Sequence, residues 1–436
     1  MRSIKSYTLE DVDNFKEQLL YWAQQFDEIV WLDSNQYAQQ YGSYDAVLAV
    51  DAFTSIKTDD QGAFDKLKEY QGITSDWIFG YLSYDLKNDT ELLSSKNTDY
   101  LYFPELFFFQ PKRLYFIRGN EVTMSYLRMA EDEMETDFSE VCAISKETID
   151  NNTTSSCERI KIRLRITKDV YKEKVETMLE HIHRGDIYEA NFCQEFYAEN
   201  SCINPLDTYR RLNAISAPPF ATYFRMGSNY LLSASPERYL RKEGQKIISQ
   251  PIKGTAKRSA DKEEDMQLIT QLKNDPKERS ENVMIVDLVR NDLSRTATKG
   301  SVQVEELCKI YSFEQVHQMI STVVSEVSPS ISPVDVIRTT FPMGSMTGAP
   351  KISAMEIIEK LESAKRGLYS GSVGYFSPEG DFDFNVIIRS ILYNEAAAYI
   401  SYTVGGAITA KSTPEKEYEE CLIKAKAMRE VLESSN

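Results

Sequence analysis

The chain has 436 residues, a formal net charge of −17 and a hydrophobic content of 42%. This length allows one large domain or two to three ordinary ones, and the composition supplies a sizeable core. The acidic balance argues against sequence-independent nucleic-acid binding, which needs a basic surface, but is compatible with a local site for an anionic small molecule.

The sequence predicts neither export nor a membrane span. Its start, MRSIKSYTLEDVDNF, lacks the apolar segment of a signal peptide, and no run of about 18 apolar residues occurs. The six cysteines are scattered without CxxC pairs, so we expect reduced thiols, a cytoplasmic location and no zinc site. His181 and His183 point to different sides of one predicted helix, so any metal is expected to be a hard cation held by carboxylates.

The composition changes twice along the chain. Residues 1–129 contain aromatic, strand-like segments with a few helices and are predicted to form an N-terminal β-rich subdomain. Residues 130–157 are acidic and rich in Ser, Thr and Asn with little periodicity, which predicts a linker. Regular structure returns over residues 158–436, which are predicted to form the second, catalytic domain.

The second domain begins with an amphipathic helix, KDVYKEKVETMLEHIHRG, that ends at Gly185. Strand-like segments follow, and then a helical block, ADKEEDMQLITQLKNDPKERSENVMIVDLVRNDLSR, that is broken at Pro276. Further strands, around VGYF, FNVIIRSILY and AYISYTVGGA, precede a last helix that starts at Pro414. Antiparallel-looking strand runs between helical blocks indicate an α+β fold rather than repeated βαβ units.

Glu278 and Glu281 lie three residues apart in the predicted helix ERSENVMIVDLV. Ile285 and Val289 continue the face of Glu281 at i+4 and i+8, so the carboxylates extend an apolar stripe. Buried acids are costly unless they are paired or bound to a cation. An ordinary pair of surface acids is the alternative interpretation.

The last helix, EKEYEECLIKAKAMREVL, repeats this arrangement. Glu417 lies on the face that carries Cys421, Ala425 and Met428, and Glu420 lies at the edge of that face. Two helices that each direct Glu-x-x-Glu toward an interior make a candidate Mg²⁺ site, with room for waters and an anionic ligand.

Three features are candidates for binding an anion. The turn GSMTGAPK (344–351) places two glycines before a helix, where backbone N–H groups suit a phosphate or carboxylate, and VGGA (404–407) is interpreted as a second backbone nest. Arg389 is predicted to lie inside the strand FNVIIRSILY, in phase with Ile387 and Ile391. An arginine there needs a carboxylate partner from the protein or from a ligand.

Lys253 stands in the turn-like stretch QPIKGTAKR, and Glu237 precedes it by a separation typical of a strand pair. A carboxylate beside a lysine in a closed site can transfer protons, and a lysine can act as a nucleophile. A surface salt bridge is the alternative interpretation.

The ordered motifs GDIYEANFCQ, SPER, PIKGT, SENVMIVDLVRNDL, GSMTGAPK, YSGSVGYF and TPEKEYEE, together with Arg389, resemble those of the chorismate-utilising enzymes. The resemblance is strongest over residues 160–434. It implies a large α+β fold of facing antiparallel sheets covered by helices, with the site between the sheets.

The same resemblance implies roles for individual residues. Mg²⁺ is expected to bridge Glu281 and Glu420 to the ring carboxylate of chorismate, with Glu278 and Glu417 in support. Tyr369 and Arg389 are expected to hold the pyruvyl carboxylate. The remaining substrate contacts implied by the resemblance are those of Gly254, Thr255, Thr347, Gly405, Gly406 and Ala407.

Three positions favour one branch of the family. Lys253, in PIKGT, resembles the branch that aminates chorismate at C4, whereas the anthranilate-forming branch carries a motif similar to PIAGT. Glu189 stands where the isochorismate-forming branch has a water-activating lysine, and Gln194 also resembles the aminating branch. The departures are Gln318, where the family often has a histidine that assists pyruvate loss, and Glu189 and Glu195 in place of the usual Gln and Arg.

The implied reaction converts chorismate to 4-amino-4-deoxychorismate, on the route to 4-aminobenzoate and folate. Lys253 is expected to add at C2 and Glu237 to transfer protons. Ammonia is expected from a separate glutaminase subunit, because this chain lacks the Cys and His-x-Glu residues of a glutaminase. The alternatives are the anthranilate-forming or isochorismate-forming reaction, or a regulatory subunit that binds chorismate or an amino acid; the full Glu, Lys and Arg set favours an enzyme.

Overall fold

The computed structural model describes residues 1–37, 40–151, 160–313 and 316–434. The strands of these residues are, in chain order, β1 (Arg2–Thr8), β2 (Glu28–Asp33), β3 (Ala46–Thr58), β4 (Ile78–Leu82), β5 (Leu106–Arg118), β6 (Glu121–Leu127), β7 (Arg163–Leu164), β8 (Glu189–Ala198), β9 (Phe220–Met226), β10 (Asn229–Ser235), β11 (Arg238–Glu243), β12 (Lys246–Gln250), β13 (Ile252–Lys257), β14 (Gln303–Ser312), β15 (Val316–Glu326), β16 (Gly348–Ala349), β17 (Ser372–Phe376), β18 (Phe382–Val386), β19 (Ser390–Asn394) and β20 (Tyr399–Thr409).

The helices of the described residues are α1 (Val12–Trp22), α2 (Ala63–Thr74), α3 (Lys87–Thr90), α4 (Met134–Ala143), α5 (Lys146–Asn151), α6 (Lys168–Arg184), α7 (Pro205–Ser216), α8 (Lys262–Asn274), α9 (Pro276–Ser294), α10 (Pro333–Thr340), α11 (Lys351–Leu361) and α12 (Pro414–Glu433). Short 3₁₀ turns occupy Ala23–Gln25, Tyr84–Leu86, Arg128–Glu133 and Gly344–Met346.

The strands form one antiparallel sheet with two branches that meet at the long strand β5, which pairs with β3, β4 and β6. One branch continues through β3, β2, β9, β10, β19, β20 and β8. The other continues through β4, β17, β18, β11, β12 and β15, which also carries β13 and β14. The predicted α+β fold with large antiparallel sheets is confirmed. β2 pairs with β9, and β4 pairs with β17, so the sheet continues across the predicted domain division between residues 129 and 158. The division into two domains therefore stays a prediction.

Two apolar cores lie on opposite faces of the first branch, because side chains alternate along a strand. Leu48 of β3 packs in the core that α1, α4, α6, α7 and α12 cover, and its neighbour Val47 packs in the core shared with the second branch. In that shared core, Phe224 of β9 contacts the rings of Tyr81 and Phe107, with ring centroids 5.3 and 6.0 Å apart. The two branches therefore face each other.

The boundaries of α6, α9 and α12 follow local sequence signals, as predicted. α6 is followed by Gly185, whose φ of 88° suits glycine. α9 begins at Pro276, after Asp275, whose carboxylate accepts hydrogen bonds from the N–H groups of Lys277 and Glu278. α12 begins at Pro414.

The segment predicted as an irregular linker, 130–157, contains α4 and α5. Met134, Val141 and Ile149 from these helices are buried, and Asp137 of α4 pairs with Arg113 of β5 at 3.0 Å. The prediction of irregular structure is therefore wrong for 134–151, because tertiary packing orders helices whose polar sequence shows little periodicity. The rest of that prediction, over 152–157, lies outside the described residues.

The cysteine prediction is correct for Cys142, Cys193, Cys308 and Cys421, which are free thiols. It is wrong for Cys202, which is disulfide-bonded. Within the described ranges, no helix has both the length and the apolar character needed to span a membrane.

Candidate active site

The four predicted glutamates lie on α9 and α12. Glu281 and Glu417 are 9% and 4% exposed, in line with the helical phase read from the sequence, and Cys421 beside Glu417 is also buried. Glu278 and Glu420 are partly exposed at the edges of these faces. The two helices are joined by Lys277 of α9, whose Nζ lies 3.8 Å from Oε1 of Glu281 and 3.9 Å from Oε1 of Glu417.

Glu420 has its own cationic partner in the next turn of α12. Lys424 Nζ lies 2.7 Å from Glu420 Oε1 and donates a hydrogen bond of 2.9 Å to the carbonyl oxygen of Gly405 in β20. A Cβ added at Gly406 would lie 3.4 Å from carboxylate oxygens of both Glu417 and Glu420. β20 therefore borders the glutamates, and a glycine leaves space there.

Burial and charge shift the pKa values of these carboxyl groups. Burial raises the pKa of Glu281 to about 7, against the opposing effect of Lys253 and Lys277, and burial also raises those of Glu278 and Glu417. For Glu420, burial acts upward but is outweighed by Lys424, so its pKa is lowered. Glutamates from both helices are thus coupled electrostatically, and a cation is the partner that stabilises such a cluster.

The donor chemistry of this cluster fits Mg²⁺, which prefers carboxylate oxygens. Oε1 of Glu281 is buried and accepts no hydrogen bond in the described structure. In the part of the chain that the structure describes, however, no three Asp, Glu, His or Cys side chains converge enough to hold a metal ion by themselves. The ammonium of Lys277 lies between Glu281 and Glu417 in this arrangement.

Lys253 and Gly254 lie in β13, where the pairing with β15 shifts register between Ile252 and Thr255. Gly254 has a φ of 92°, which an L side chain rarely adopts, and an added Cβ would lie 3.1 Å from Oε2 of Glu278. Lys253 is half-buried. Within the described residues its ammonium makes no hydrogen bond or salt bridge, although its charge acts on Glu237, Glu278, Glu281 and Glu420.

Glu237 lies directly before β11 and is 5% exposed. Burial raises its pKa to about 7, opposed by hydrogen bonds from the Ser345 hydroxyl and the Ile252 N–H and by the charge of Lys253. A carboxyl group with a pKa near neutrality can give and take a proton at physiological pH. The structure thus places Glu237 within range of the charge of Lys253, and a role of this pair in proton transfer stays a prediction.

Tyr369 is buried, and its hydroxyl lies 3.5 Å from Sγ of Cys193. The predicted position of Arg389 within a strand is wrong: β18 ends at Val386, β19 begins at Ser390, and Arg389 has a φ of 54° between them. Burial lowers its pKa, and the nearby Tyr369 and Glu420 oppose that effect. The Arg389 guanidinium makes no hydrogen bond or salt bridge in the described structure, so it is available to an anionic ligand.

VGGA does not form a backbone nest, and this prediction is wrong. Gly405, Gly406 and Ala407 are extended in β20 and pair with Cys193, Phe192 and Asn191 of β8. Gly405 is required for packing, because an added Cβ would lie 2.3 Å from the carbonyl oxygen of Phe192. These residues border the glutamates as part of the sheet.

The two predicted threonines have different settings. Thr347 is fully buried in the GSMTGAPK turn, and its hydroxyl donates to the carbonyl oxygens of Met343 and Gly344 at 3.3 Å. Thr255 is exposed in β13 opposite Gln318, and no hydrogen bond among the described residues joins it to the glutamates. The roles of both in substrate binding stay predictions.

Sequence reasoning gave no active-site role to Glu189, Lys277 or Ser345. Glu189 is fully buried at the start of β8, both of its carboxylate oxygens lack a hydrogen bond, and its charge acts on Glu281. The sequence feature that could have identified Glu189 is an acidic residue at the start of an otherwise largely apolar strand. Lys277 was recognisable as the i+4 partner of Glu281, whereas nothing in the sequence linked Ser345 to Glu237.

Comparison with known proteins shows the family to which this chain belongs. The family described as chorismate binding enzyme matches residues 14–430. A protein of Oryza sativa subsp. japonica named probable aminodeoxychorismate synthase, chloroplastic, is 41% identical over 283 residues, which is 64% of this chain and 31% of the rice protein. Anthranilate synthase component 1 of Thermus thermophilus is 33% identical over 359 residues, 82% of this chain and 77% of that protein.

Among solved structures, anthranilate synthase component I from Streptococcus pneumoniae TIGR4 superimposes with a TM-score of 0.78 at 26% identity, covering 90% of this chain and 94% of that one. The chain belongs to the family of chorismate binding enzymes.

Proposed function

We propose that this chain is an aminodeoxychorismate synthase component I, which replaces the C4 hydroxyl of chorismate by an amine to give 4-amino-4-deoxychorismate. The observation that carries the proposal is that Lys253, whose ammonium makes no hydrogen bond or salt bridge among the described residues, acts by its charge on Glu237, a buried carboxyl whose pKa is raised to about 7. A chorismate-binding site that only eliminated pyruvate would have no need of a nucleophile at this position.

Two successive displacements at the ring explain how C4 can exchange its substituent with retained geometry. The Lys253 amine adds to C2 of chorismate, the ring double bonds shift, and the C4–oxygen bond breaks. Glu237 donates the proton that converts the leaving hydroxyl to water. Ammonia then adds at C4, the double bonds shift back, the C2–nitrogen bond to Lys253 breaks, and Glu237 accepts a proton from the new amine.

The remaining residues of the site bind and orient the substrate. Arg389, with no protein partner among the described residues, would pair with a carboxylate of chorismate, and Tyr369 lies near Arg389. Glu281 and Glu420, with Glu278 and Glu417 in support, would hold Mg²⁺, which when bound neutralises the ring carboxylate. Binding energy from these remote groups positions C2 and C4 for reaction.

Ammonia would come from a separate glutaminase subunit, as expected from the sequence, or from ammonium in solution. The name aminodeoxychorismate synthase component 1 of an Escherichia coli relative, 38% identical over 268 residues, is compatible with a two-component enzyme.

The test is to incubate the purified chain with chorismate, Mg²⁺ and ammonium at alkaline pH and to resolve the products by mass and fluorescence. The proposal predicts a product that retains the pyruvyl group and yields 4-aminobenzoate when a lyase is added. Fluorescent anthranilate would instead assign the chain to the reaction named for its Thermus thermophilus relative, and isochorismate would transfer catalysis to another base.

A further inference from the structure

On the basis of the proposed function, we propose that Lys277 is the counter-cation of the magnesium site. Its ammonium occupies the glutamate cluster when the divalent ion is absent and must leave the cluster when the ion binds. Lys277 is in the first turn of α9. Its Nζ lies within 4 Å of carboxylate oxygens from both α9 and α12, at 3.8 Å from Glu281 and 3.9 Å from Glu417.

The position of Lys277 relative to the buried acceptors supports this assignment. Oε1 of Glu281 lies 3.8 Å from the ammonium, and this buried oxygen has no hydrogen bond in the described structure. At 3.8 Å the ammonium neutralises the carboxylate without completing a hydrogen bond, so the acceptor is left free for a closer ligand. The contact is thus electrostatic and incomplete.

Lys277 is also able to leave. Its side chain is 40% exposed, compared with 4% for that of Glu417, and a lysine stem on the first turn of a helix can extend into solvent. Lys424 differs, because its ammonium is held both by Glu420 and by the Gly405 carbonyl. Of these two lysines, Lys277 is the one that a divalent ion would displace, since its charge acts on all four glutamates of the cluster.

This competition lowers the affinity for the ion in the absence of substrate. A bound ion must displace the partly exposed Lys277 from its two ion pairs, which together are worth about a tenfold change in affinity. The ion would then bind tightly only with chorismate, whose carboxylate supplies additional ligands.

The experiment compares Mn²⁺ binding, measured by the electron paramagnetic resonance of the free ion, in the wild type and in the Lys277→Met and Lys277→Gln variants without chorismate. Lys416→Met is the matched control, because this substitution removes the same unit charge beside Glu417. Lys416 is exposed on α12 and makes no ion pair among the described residues. Competition with Mg²⁺ in each protein shows whether the ions share one site.

We expect both Lys277 variants to bind Mn²⁺ about tenfold more tightly than the wild type and than Lys416→Met. Affinities of the Lys277 variants equal to or weaker than that of the wild type, in proteins that all bind Mn²⁺, would overturn the inference and leave the proposed function intact. If none of the four proteins binds Mn²⁺, the inference fails together with the cation site; chorismate amination assayed separately then decides whether the proposed reaction survives.

Discussion

Replacing Glu237 by glutamine is expected to stabilise the protein at alkaline pH while removing its acid–base group. The buried carboxyl has a folded-state pKa of about 7, raised from an ordinary value of 4.5. Because the folded pKa is higher than the unfolded one, the folded state binds this proton more tightly, and ionisation of Glu237 penalises folding as the pH rises.

The size of the effect follows from the shift in pKa. The penalty is almost absent below the unfolded pKa, grows as pH rises through the range between the two values, and is complete above about pH 7. A shift of this size corresponds to about 3 kcal/mol in the free energy of unfolding, of which ~2.5 kcal/mol develops between about pH 5 and pH 8.5. The buried glutamine N–H₂ group adds a cost of about 1–3 kcal/mol that is independent of pH.

The assay is chemical denaturation of the wild type and Glu237→Gln at both pH values. The difference between the two proteins should change by ~2.5 kcal/mol in favour of the variant from the lower to the higher pH, and the constant amide cost cancels in that comparison. Glu176→Gln, on the exposed face of α6, is the control and should show no such change. The same difference at both pH values for Glu237→Gln would refute a raised pKa for Glu237 and with it the proposed proton donor.

Two further substitutions test the geometry of the site. Gly254→Ala and Gly300→Ala both force alanine to a positive φ, of 92° and 80°, which costs about 1–2 kcal/mol of stability in each variant. Only at Gly254 would the added methyl group reach Glu278. We therefore expect kcat/KM for chorismate to fall in Gly254→Ala alone, and equal losses in both variants would contradict this contact. Arg389→Ala should raise KM for chorismate by roughly 30-fold, the equivalent of about 2 kcal/mol. The denaturation midpoint should not fall, because this guanidinium has no protein partner in the described structure. A large loss of stability with unchanged KM would show that Arg389 has a structural role, and Arg389→Lys is the control that keeps the charge.

Helical periodicity carried most of the correct predictions about the site. Glu281 and Glu417 were assigned to interior faces because apolar residues follow them at i+4, and both are buried. Helix boundaries at Gly185, Pro276 and Pro414 were equally readable, since glycine and proline have strong local preferences at helix ends.

The errors arose where tertiary contacts decide the backbone. FNVIIRSILY has uninterrupted strand propensity, yet the strand breaks before Arg389. Arg389 has a φ of 54°, and because the residue is not glycine, the sequence does not predict this left-handed conformation. VGGA resembles a nest in composition, but pairing with β8 keeps it extended. The contact of Lys277 with Glu417 joins α9 to α12, and Ser345 acts on Glu237 from a distant turn. No local sequence pattern encodes such contacts.

The most direct test of the central claim is the rate of 4-amino-4-deoxychorismate formation by the wild type and by Lys253→Ala, with chorismate, Mg²⁺ and ammonium. If Lys253 carries the first displacement, the variant loses this product, although it still folds and binds chorismate, and any residual amination appears at C2. Formation of 4-amino-4-deoxychorismate by Lys253→Ala at the wild-type rate would contradict the account.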